Sequence, residues 1–312
     1  MDTAPIRVLY IAGASRSGST LLDRIIGAIP GAVSLGEVHH IWRRGFQQSD
    51  RCGCGNTFAN CPFWDEVRRR AAADGELDAD RLLELQRRVV RNRVLPRVLL
   101  PALASESFTR ACGEYADALV RLYRAVAATS GATVVIDSSK RAAHGMLLAA
   151  RPDINLSVVH LVRDSRAVAF SSARSKVKTD SHDPLQMMAQ LTATESAKAW
   201  NQQNILTEVL CYRASSFVRV RYEDLVRQPA ETVSKIVRLA DTEPIEPGNF
   251  ESGSVRLPLA HTVSGNPMRL QSGRVALKID DEWRTAMHPS DRNSVTRRTF
   301  ILLRRYGYTL RA

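Results

Sequence analysis

Short apolar runs alternate with longer amphipathic segments along this chain, and the two patterns have different periods. The runs with strand character are 6–12, 33–35, 133–136, 156–162 and 217–220. The segments with helical spacing of apolar positions are 17–28, 64–74, 79–94, 105–129, 141–150, 165–175, 185–213, 230–240 and 289–305. Strands that alternate with helices predict an α/β fold, in which helices cover both faces of a central parallel sheet and form three α/β/α layers.

Polar motifs follow the predicted strands. In strand order they are 15–20, Gly36-Glu37, 137–140, 163–172 and 221–224. The carboxyl ends of parallel strands lie at one edge of the sheet, and folds of this kind bind their ligands there. The pattern therefore predicts a ligand site that is built from these motifs.

The length of 312 residues and the absence of a long polar linker predict one domain over 1–312. Between the second and third predicted strands, 64–130 has the pattern of a helical insertion. We expect this insertion to pack over the sheet and to shape the pocket for an acceptor substrate.

The loop after the first predicted strand has the features of an anion site. Gly13 and Gly18 have the spacing of a nucleotide-triphosphate loop and Thr20 is in place, but Ser19 stands where that pattern needs Lys. The cation of this loop is Arg16 instead. A helix that begins at such a loop directs free N–H groups and the positive end of its dipole at a bound anion.

A second anion-binding pattern follows the fourth predicted strand. Arg163 ends that strand, and Ser171 lies two turns into the next helix. A guanidinium binds a phosphate through a bidentate fork, and the hydroxyl can reach the same phosphate. A surface ion pair between Arg163 and Asp164 is the alternative that the sequence leaves open.

Together the two motifs resemble those of sulfotransferases that use 3′-phosphoadenosine 5′-phosphosulfate (PAPS). The segment Arg16-Ser17-Gly18-Ser19-Thr20-Leu21-Leu22, followed by Gly36-Glu37, is most similar to tyrosylprotein and carbohydrate sulfotransferases and to their bacterial relatives. The resemblance implies that the 5′-phosphosulfate is held by Arg16, Ser17, Gly18, Ser19 and Thr20. It also implies that Arg163 and Ser171 hold the 3′-phosphate, and that the product is adenosine 3′,5′-bisphosphate.

The implied reaction needs a general base, because the acceptor hydroxyl loses a proton as its oxygen attacks sulfur. In the tyrosylprotein relatives the Glu of a similar Gly-Glu pair has this role, so Glu37 is the predicted base, with His39 and His40 as competitors. The cytosolic aryl and steroid enzymes use a His after the third strand, where this chain has Lys140. Lys140 and Arg16 are predicted to stabilise the charge on the transferred and leaving groups.

Residues later in the chain are assigned to the cofactor by the same resemblance. Tyr222 resembles a family tyrosine that lies near the adenine and the 3′-phosphate. The family closes the pocket with a late basic or Ser-containing loop before a Trp. Here that assigns Ser264 and Arg269 to the cofactor, with Arg274 and Lys278 as alternatives.

An ATP-dependent kinase of a small molecule is the alternative function, and a non-catalytic protein that keeps the pocket is a third. Phosphoryl transfer from ATP normally needs Mg²⁺ held by a carboxylate, for which Asp137 is the obvious candidate. Ser19 in place of the P-loop Lys disfavours the kinase. A sulfuryl group carries less charge than a phosphoryl group, so we expect the transfer to require no metal and assign no metal ligand to the site.

Three of the five cysteines cluster in a Gly-rich segment, as Cys52, Cys54 and Cys61. Three thiols could bind zinc with His39 or His40 as the fourth ligand, although the spacing matches no standard zinc finger. A disulfide from Cys61 to Cys52 or Cys54 and three reduced thiols are the other possibilities.

The chain carries a net charge of +12, and Arg supplies 38 of its 44 basic residues. No basic run is interleaved with aromatic residues, so we attribute the charge to helix surfaces and to an anionic small ligand. No apolar run reaches the length of about 18 residues that a membrane span needs, and no leader is visible before the first strand. The expected partner is a small-molecule, sugar or peptide acceptor, without nucleic acid or membrane, and the expected location is the cytoplasm.

Overall fold

A computed structural model describes residues 4–73, 75, 77–174, 190–240, 250–251 and 253–310. Its main strands are β1 (Ile6–Ala12), β2 (Ala32–Ser34), β3 (Val134–Lys140), β4 (Ile154–Val162) and β5 (Ser216–Arg221). They form a five-stranded parallel sheet in the order β2-β3-β1-β4-β5. The α/β fold with a central parallel sheet, predicted from the alternating pattern, is confirmed.

The middle strand β1 is apolar on both faces. Val8 and Tyr10 pack into a core on one side of the sheet, whereas Leu9 and Ile11 pack into a second core on the other side. A strand that is buried on both faces is a continuous apolar run in the sequence. This is why the sequence pattern located β1 at its observed position.

The helices cover both faces of the sheet. They are α1 (Ser19–Ile26), α2 (Pro62–Ala72), α3 (Ala79–Val89), α4 (Leu95–Leu99), α5 (Glu106–Ser130), α6 (Ala142–Ala149), α7 (Ser165–Ala173), α8 (Ala193–Cys211), α9 (Tyr222–Arg227), α10 (Pro229–Ala240), α11 (Trp283–Ala286) and α12 (Pro289–Arg305). The predicted helix over 185–213 is observed as α8, and its first residues, 185–189, lie outside the described residues.

The predicted helical insertion is observed as α2 to α5, between β2 and β3. Ser105 begins the long helix α5 by accepting a hydrogen bond from the backbone N–H of Phe108, and Gly131 ends it with a φ of 68°. α5 packs against α2 and α3. The apolar faces of these helices join the core that covers the Val8 and Tyr10 side of the sheet.

An irregularity in β3 shapes the ligand edge of the sheet. Tyr10 pairs with Asp137 and Ala12 pairs with Lys140, so β3 contains one extra residue over this interval. Lys140 has a φ of 66°, a left-handed conformation that a non-glycine residue adopts only at an energetic cost. Such a bulge re-aims the side chains at the end of a strand, and no periodicity in the sequence signals it.

Several short elements differ from the predicted pattern. A three-stranded antiparallel sheet is formed by β6 (Phe250–Glu251), β7 (Ser254–Leu257) and β8 (Gly273–Ala276). Strands of two to four residues are too short to show an alternation, so the sequence pattern did not predict this sheet. A 3₁₀ turn (Val38–His40) and a π-helix (Ile41–Gln47) follow β2. Within the described residues, no helix is long and apolar enough to span a membrane.

Candidate functional site

The turn between β1 and α1 leaves the start of a helix open. Gly18 precedes α1 with a φ of 88°, no described side chain caps the helix, and its first turn contains no acidic residue. Arg16 also has a left-handed backbone, with a φ of 66°. The N–H groups at a helix start have no partner within the helix. This turn is therefore positively polarised and has no side-chain cap among the described residues. Its assignment as an anion loop stays a prediction.

Two side chains of this turn have buried polar atoms without a partner. The Nη1 atom of Arg16 and the Oγ atom of Ser17 are buried, and neither has a hydrogen-bond partner among the described residues. Burial lowers the pKa of Arg16, and the nearby carboxylate of Glu37 counteracts that effect. A half-buried guanidinium stays charged at neutral pH. The turn thus presents a cation and a hydroxyl that an anion could satisfy.

Arg163, at the end of the fourth strand, lies next to this turn. Its Nη1 donates to the carbonyl oxygen of Arg16 at 2.9 Å, and its Nη2 donates to the Asp280 carboxylate at 2.9 Å. Its guanidinium also lies over the ring of Tyr222, with the Cζ atom 4.6 Å from the ring centroid. The two predicted anion motifs are therefore in direct contact. Asp280 was not predicted from the sequence, because an acidic residue does not fit the pattern of a segment that binds an anion.

The ring of Tyr222 packs on the first loop. A Cβ atom added at Gly18 would lie 2.4 Å from the Cδ2 atom of Tyr222, so a side chain at that position would displace the ring. The Tyr222 hydroxyl donates to the carbonyl oxygen of Lys278 at 3.3 Å. Tyr222 thus contacts both predicted phosphate-binding segments, and Lys278 contributes a backbone atom to this arrangement.

Glu37 and Lys140 form an ion pair beside the first loop. The Oε1 atom of Glu37 is 2.5 Å from the Nζ atom of Lys140, and the two side chains are 16% and 13% exposed. Burial alone would raise the pKa of Glu37, but Lys140, His40 and Arg44 together more than offset it, so the Glu37 pKa lies below its ordinary value. Glu37 is therefore a carboxylate at neutral pH. The β3 bulge brings Lys140 to it.

The two histidines that compete with Glu37 as the base are neutral. Burial lowers the pKa of His39 well below its ordinary value and the pKa of His40 to about 4. The Nε2 atom of His40 is 3.7 Å from the Oε2 atom of Glu37, and the His39 and His40 rings are in contact, with centroids 3.8 Å apart. Both histidines lie at the same site as Glu37.

The late loop, residues 261–269, contacts both the first loop (residues 13–20) and Glu37. The backbone N–H of Asn266 donates to the Thr20 hydroxyl at 3.2 Å, and the N–H of Glu37 donates to the Ser264 carbonyl oxygen at 3.4 Å. Arg44 donates to the Ser264 hydroxyl at 2.6 Å. Arg44 was missed in the sequence, because the π-helix that carries it has no distinctive pattern.

Residues 9–247 match the sequence profile of a family described as the sulfotransferase family. The chain belongs to the sulfotransferase family. Its structure is similar to the sulfotransferase domain from the Synechococcus PCC 7002 olefin synthase, with a TM-score of 0.53 and 17% identity over 98% of this chain and 96% of that one. The sulfotransferase domain from the curacin biosynthetic pathway has a TM-score of 0.49 and 15% identity over 98% and 99% of the two chains. The first likeness shows a shared fold. No curated protein sequence matches the chain significantly.

Two predicted cofactor residues of this sulfotransferase have other contacts. Arg269 is fully buried and donates to the backbone carbonyl oxygens of Thr262 and Arg51, at 2.8 and 2.5 Å. These bonds give Arg269 the role of joining the late loop to the cysteine segment. The alternative Arg274 pairs with Glu251 at 3.0 Å within the antiparallel sheet. A basic residue in a turn-rich loop can bond to the loop's own carbonyls as readily as to a ligand, and the sequence does not separate the two.

Ser171 lies in the second turn of α7, where it is 5% exposed. The hydrogen bonds of Arg163 do not reach it and end instead on Arg16 and Asp280. The pairing of Arg163 with Ser171 therefore stays a prediction about the ligand-bound protein.

The carboxylate of Asp137 accepts hydrogen bonds from other residues inside this sulfotransferase. It is completely buried, its Oδ2 accepts a hydrogen bond from the Tyr123 hydroxyl at 2.7 Å, and its Oδ1 accepts from the backbone N–H of Ser139 at 2.8 Å. The Nε2 atom of His144 is 3.4 Å from Oδ2. Both oxygens of this carboxylate are therefore engaged by partners inside the protein.

Proposed function

We propose that this sulfotransferase moves the sulfuryl group from PAPS to a hydroxyl of a small-molecule, sugar or peptide acceptor. The observation that carries the proposal is the start of α1, which no described side chain caps and where the Arg16 guanidinium and the Ser17 hydroxyl have buried atoms without partners among the described residues. Buried donors are almost always satisfied in folded proteins. Donors left open around one helix start are best explained by an anionic ligand.

The turn after β1, with Ser19 and Thr20, would hold the 5′-phosphosulfate through backbone N–H groups and the Arg16 guanidinium. Arg163 would hold the 3′-phosphate, which would replace the Asp280 carboxylate as the partner of its Nη2. A phosphate carries more charge than a carboxylate and accepts the same bidentate fork. Tyr222 and Ser264 complete this pocket as contacts of the cofactor.

Glu37 would accept the proton of the acceptor hydroxyl as the acceptor oxygen bonds to sulfur. The bond between sulfur and the bridging oxygen breaks, and adenosine 3′,5′-bisphosphate leaves with the electron pair of that bond. Lys140 keeps Glu37 ionised before the reaction. Lys140 and Arg16 would stabilise the charge on the leaving phosphate, which is the main catalytic effect expected of preorganised cations.

A kinase is disfavoured by the same site. A nucleotide kinase needs a carboxylate for Mg²⁺, and the candidate Asp137 is buried and hydrogen-bonded to Tyr123 and Ser139. Ser19 replaces the lysine that a triphosphate loop requires. We therefore expect sulfuryl transfer without a metal at the reacting centre.

The helical insertion is proposed to shape the acceptor pocket within a single sulfotransferase domain over 1–312. Its first helix, α2, is joined to the late loop, because the Trp64 indole donates to the carbonyl oxygen of His261 at 3.0 Å. Gln86, on α3, donates to the carbonyl oxygen of His39 at 2.7 Å. The insertion thus contacts the segment that contains the proposed base.

The proposal is tested by incubating the protein with PAPS and a panel of hydroxyl acceptors, followed by mass spectrometry. We expect one acceptor to gain the mass of SO₃, with equal yield in the presence and absence of Mg²⁺. ATP with Mg²⁺ should transfer no phosphate. Phosphate transfer from ATP, or no loss of PAPS with any acceptor, would contradict the proposal.

The role of Glu37 is tested by Glu37→Gln. We expect turnover to fall by about 10²–10⁴-fold, the contribution of a general base, while the affinity for adenosine 3′,5′-bisphosphate stays within twofold. Titration calorimetry and initial rates measure the two quantities. Equal losses of affinity and turnover would assign Glu37 a structural role, and full activity would assign the proton transfer to another group.

A further inference from the structure

The side chains of three cysteines and one histidine form a cluster outside the proposed active site. Cys52, Cys54 and Cys61 lie in the segment before and at the start of α2, and His261 lies in the late loop, 200 positions after Cys61 in the chain. Their ligand atoms all lie within 4.8 Å of one another. The sulfur of Cys61 is 3.7 Å from that of Cys52 and 3.7 Å from that of Cys54.

These distances are those of a tetrahedron around a zinc ion. Thiolates about 2.3 Å from Zn²⁺ in tetrahedral geometry lie about 3.8 Å from each other, close to the separations of Cys61 from Cys52 and Cys54. The Nδ1 atom of His261 is 3.2 Å from the Cys61 sulfur and 3.8 Å from the Cys52 sulfur. A disulfide needs sulfurs about 2.05 Å apart and would leave the third cysteine and His261 without a role.

Two of the three cysteines are shielded from solvent, because Cys52 and Cys61 are completely buried. Zinc binds the thiolate form of cysteine, and its binding releases the thiol protons.

We propose that Cys52, Cys54, Cys61 and His261 form a Zn²⁺ site of this protein. Four protein ligands leave no open position for water or substrate, which is the arrangement of a structural rather than a catalytic zinc. The fourth ligand differs from the sequence-based candidates, because His39 and His40 lie beside Glu37 and not beside the cysteines. His261 was missed because it is distant in the sequence.

The zinc would fasten the late loop to the cysteine segment (52–61), which leads into the first helix of the insertion. The same two segments are already joined by a backbone hydrogen bond from Gly53 to Thr262 at 3.0 Å, and the Phe63 and His261 rings stack with centroids 4.6 Å apart. Ser264, three residues after His261, accepts the backbone hydrogen bond of Glu37. The metal would therefore stabilise the loop that supports the proposed base, without taking part in the reaction.

The site is tested first by the metal content of the full-length protein, purified without chelators and analysed by plasma mass spectrometry. We expect one zinc per chain. Replacement of zinc by Co²⁺ should give the intense visible bands of tetrahedral cobalt together with thiolate-to-cobalt charge transfer. This readout depends on the ligands alone and is independent of whether the proposed sulfuryl transfer is correct.

The ligands are tested by Cys54→Ser and His261→Asn, with Cys112→Ser as the matched control because Cys112 is a free cysteine on α5 away from the cluster. We expect the two ligand variants to lose most of the bound zinc and to melt at a lower temperature, and the control to keep both properties. Should a variant fail to fold, reversible removal of zinc from the unaltered protein gives the same comparison.

Three results would overturn the proposal. The first is a metal-free protein that binds neither Zn²⁺ nor Co²⁺ when its thiols are reduced. The second is a disulfide among Cys52, Cys54 and Cys61, detected by peptide mass after purification under reducing conditions. The third is full zinc content in both ligand variants.

Discussion

The strands β1 and β4 are neighbours in the sheet, so the turns that follow them lie side by side. Each turn leads into a helix and contains or adjoins an arginine, half-buried Arg16 in one case and buried Arg166 in the other. The two helix starts are completed differently. At the start of α7, Asp164 accepts the backbone N–H of Arg166, and both oxygens of the same carboxylate bind the Arg166 guanidinium, at 2.9 and 2.7 Å. At the start of α1, Gly18 offers no side chain, and no described residue caps the helix. One turn is neutralised by the chain itself, and the other is left positive.

The two arginines show the same difference. Arg166 also donates to the carbonyl oxygen of Thr309 at 2.8 Å and lies over the ring of Trp283. Arg16 has a buried Nη1 without a partner among the described residues and a left-handed φ of 66°. An unsatisfied buried donor costs about 1–3 kcal/mol, and the left-handed backbone about 1 kcal/mol more. A folded protein keeps such costs mainly where a ligand removes them.

The largest expected effect is on stability, at the turn before α7, where Asp164 caps the helix. Asp164→Ala removes the partner of a buried guanidinium and the cap of α7, so the free energy of unfolding should fall by about 3–5 kcal/mol. Chemical denaturation measures it. Asp224→Ala is the control, because Asp224 pairs with Arg221 at the surface and is 43% exposed, and it should cost less than about 1 kcal/mol. Equal small losses for both variants would remove the energetic distinction between the turns.

The next effect is on nucleotide affinity, at the turn before α1, which no described side chain caps. Arg16→Gly removes a guanidinium whose buried Nη1 has no hydrogen-bond partner among the described residues, and it relieves the left-handed backbone. The free energy of unfolding should therefore stay the same or rise by up to about 1 kcal/mol. The affinity for adenosine 3′,5′-bisphosphate should fall by about 100-fold, or about 3 kcal/mol. Arg16→Ala separates the two causes, because it removes the cation and keeps the strain. A large loss of stability in Arg16→Gly would place Arg16 with Arg166 as a structural residue.

The smallest effect concerns the ion pair that faces the open turn. Lys140→Met removes the ammonium that holds the Glu37 pKa down, while burial continues to raise it. The acid limb of kcat/KM follows the Glu37 pKa in the free enzyme. It should move to higher pH by about one unit, or about 1.4 kcal/mol. The control Lys235→Met, at an exposed pair with Glu231, should leave the limb in place. An unmoved limb in Lys140→Met would exclude Glu37 as the base.

The fold and the position of the glycine-rich turn after β1 could be predicted because both are encoded locally. The continuous apolar run of β1 and the glycines of the next turn are visible in any short window of the sequence. The contact between Arg163 and the Arg16 carbonyl follows from the parallel sheet, which brings strand ends together. Glu37 and Lys140 were both predicted to lie at this edge, but their ion pair was not predicted, and the β3 bulge beside it has no sequence signal.

The remaining contacts depend on segments that meet only in the folded chain. Arg44, Asp280 and His261 come from a π-helix and from late loops, where apolar periodicity is absent. Arg269 was assigned to the cofactor by the family resemblance; the structure shows its guanidinium bonded to backbone carbonyls, and its contact with the cofactor stays a prediction. Charge identifies which residues could bind an anion, but the partners of each residue decide which of them do.

The most direct test of the account is a calorimetric titration of the unaltered protein with adenosine 3′,5′-bisphosphate in a buffer without Mg²⁺. The open turn after β1 predicts binding in the micromolar range or tighter, unchanged when Mg²⁺ is added and strongly weakened by Arg16→Gly. No heat and no thermal shift with this nucleotide, or binding that appears only with Mg²⁺, would contradict the account.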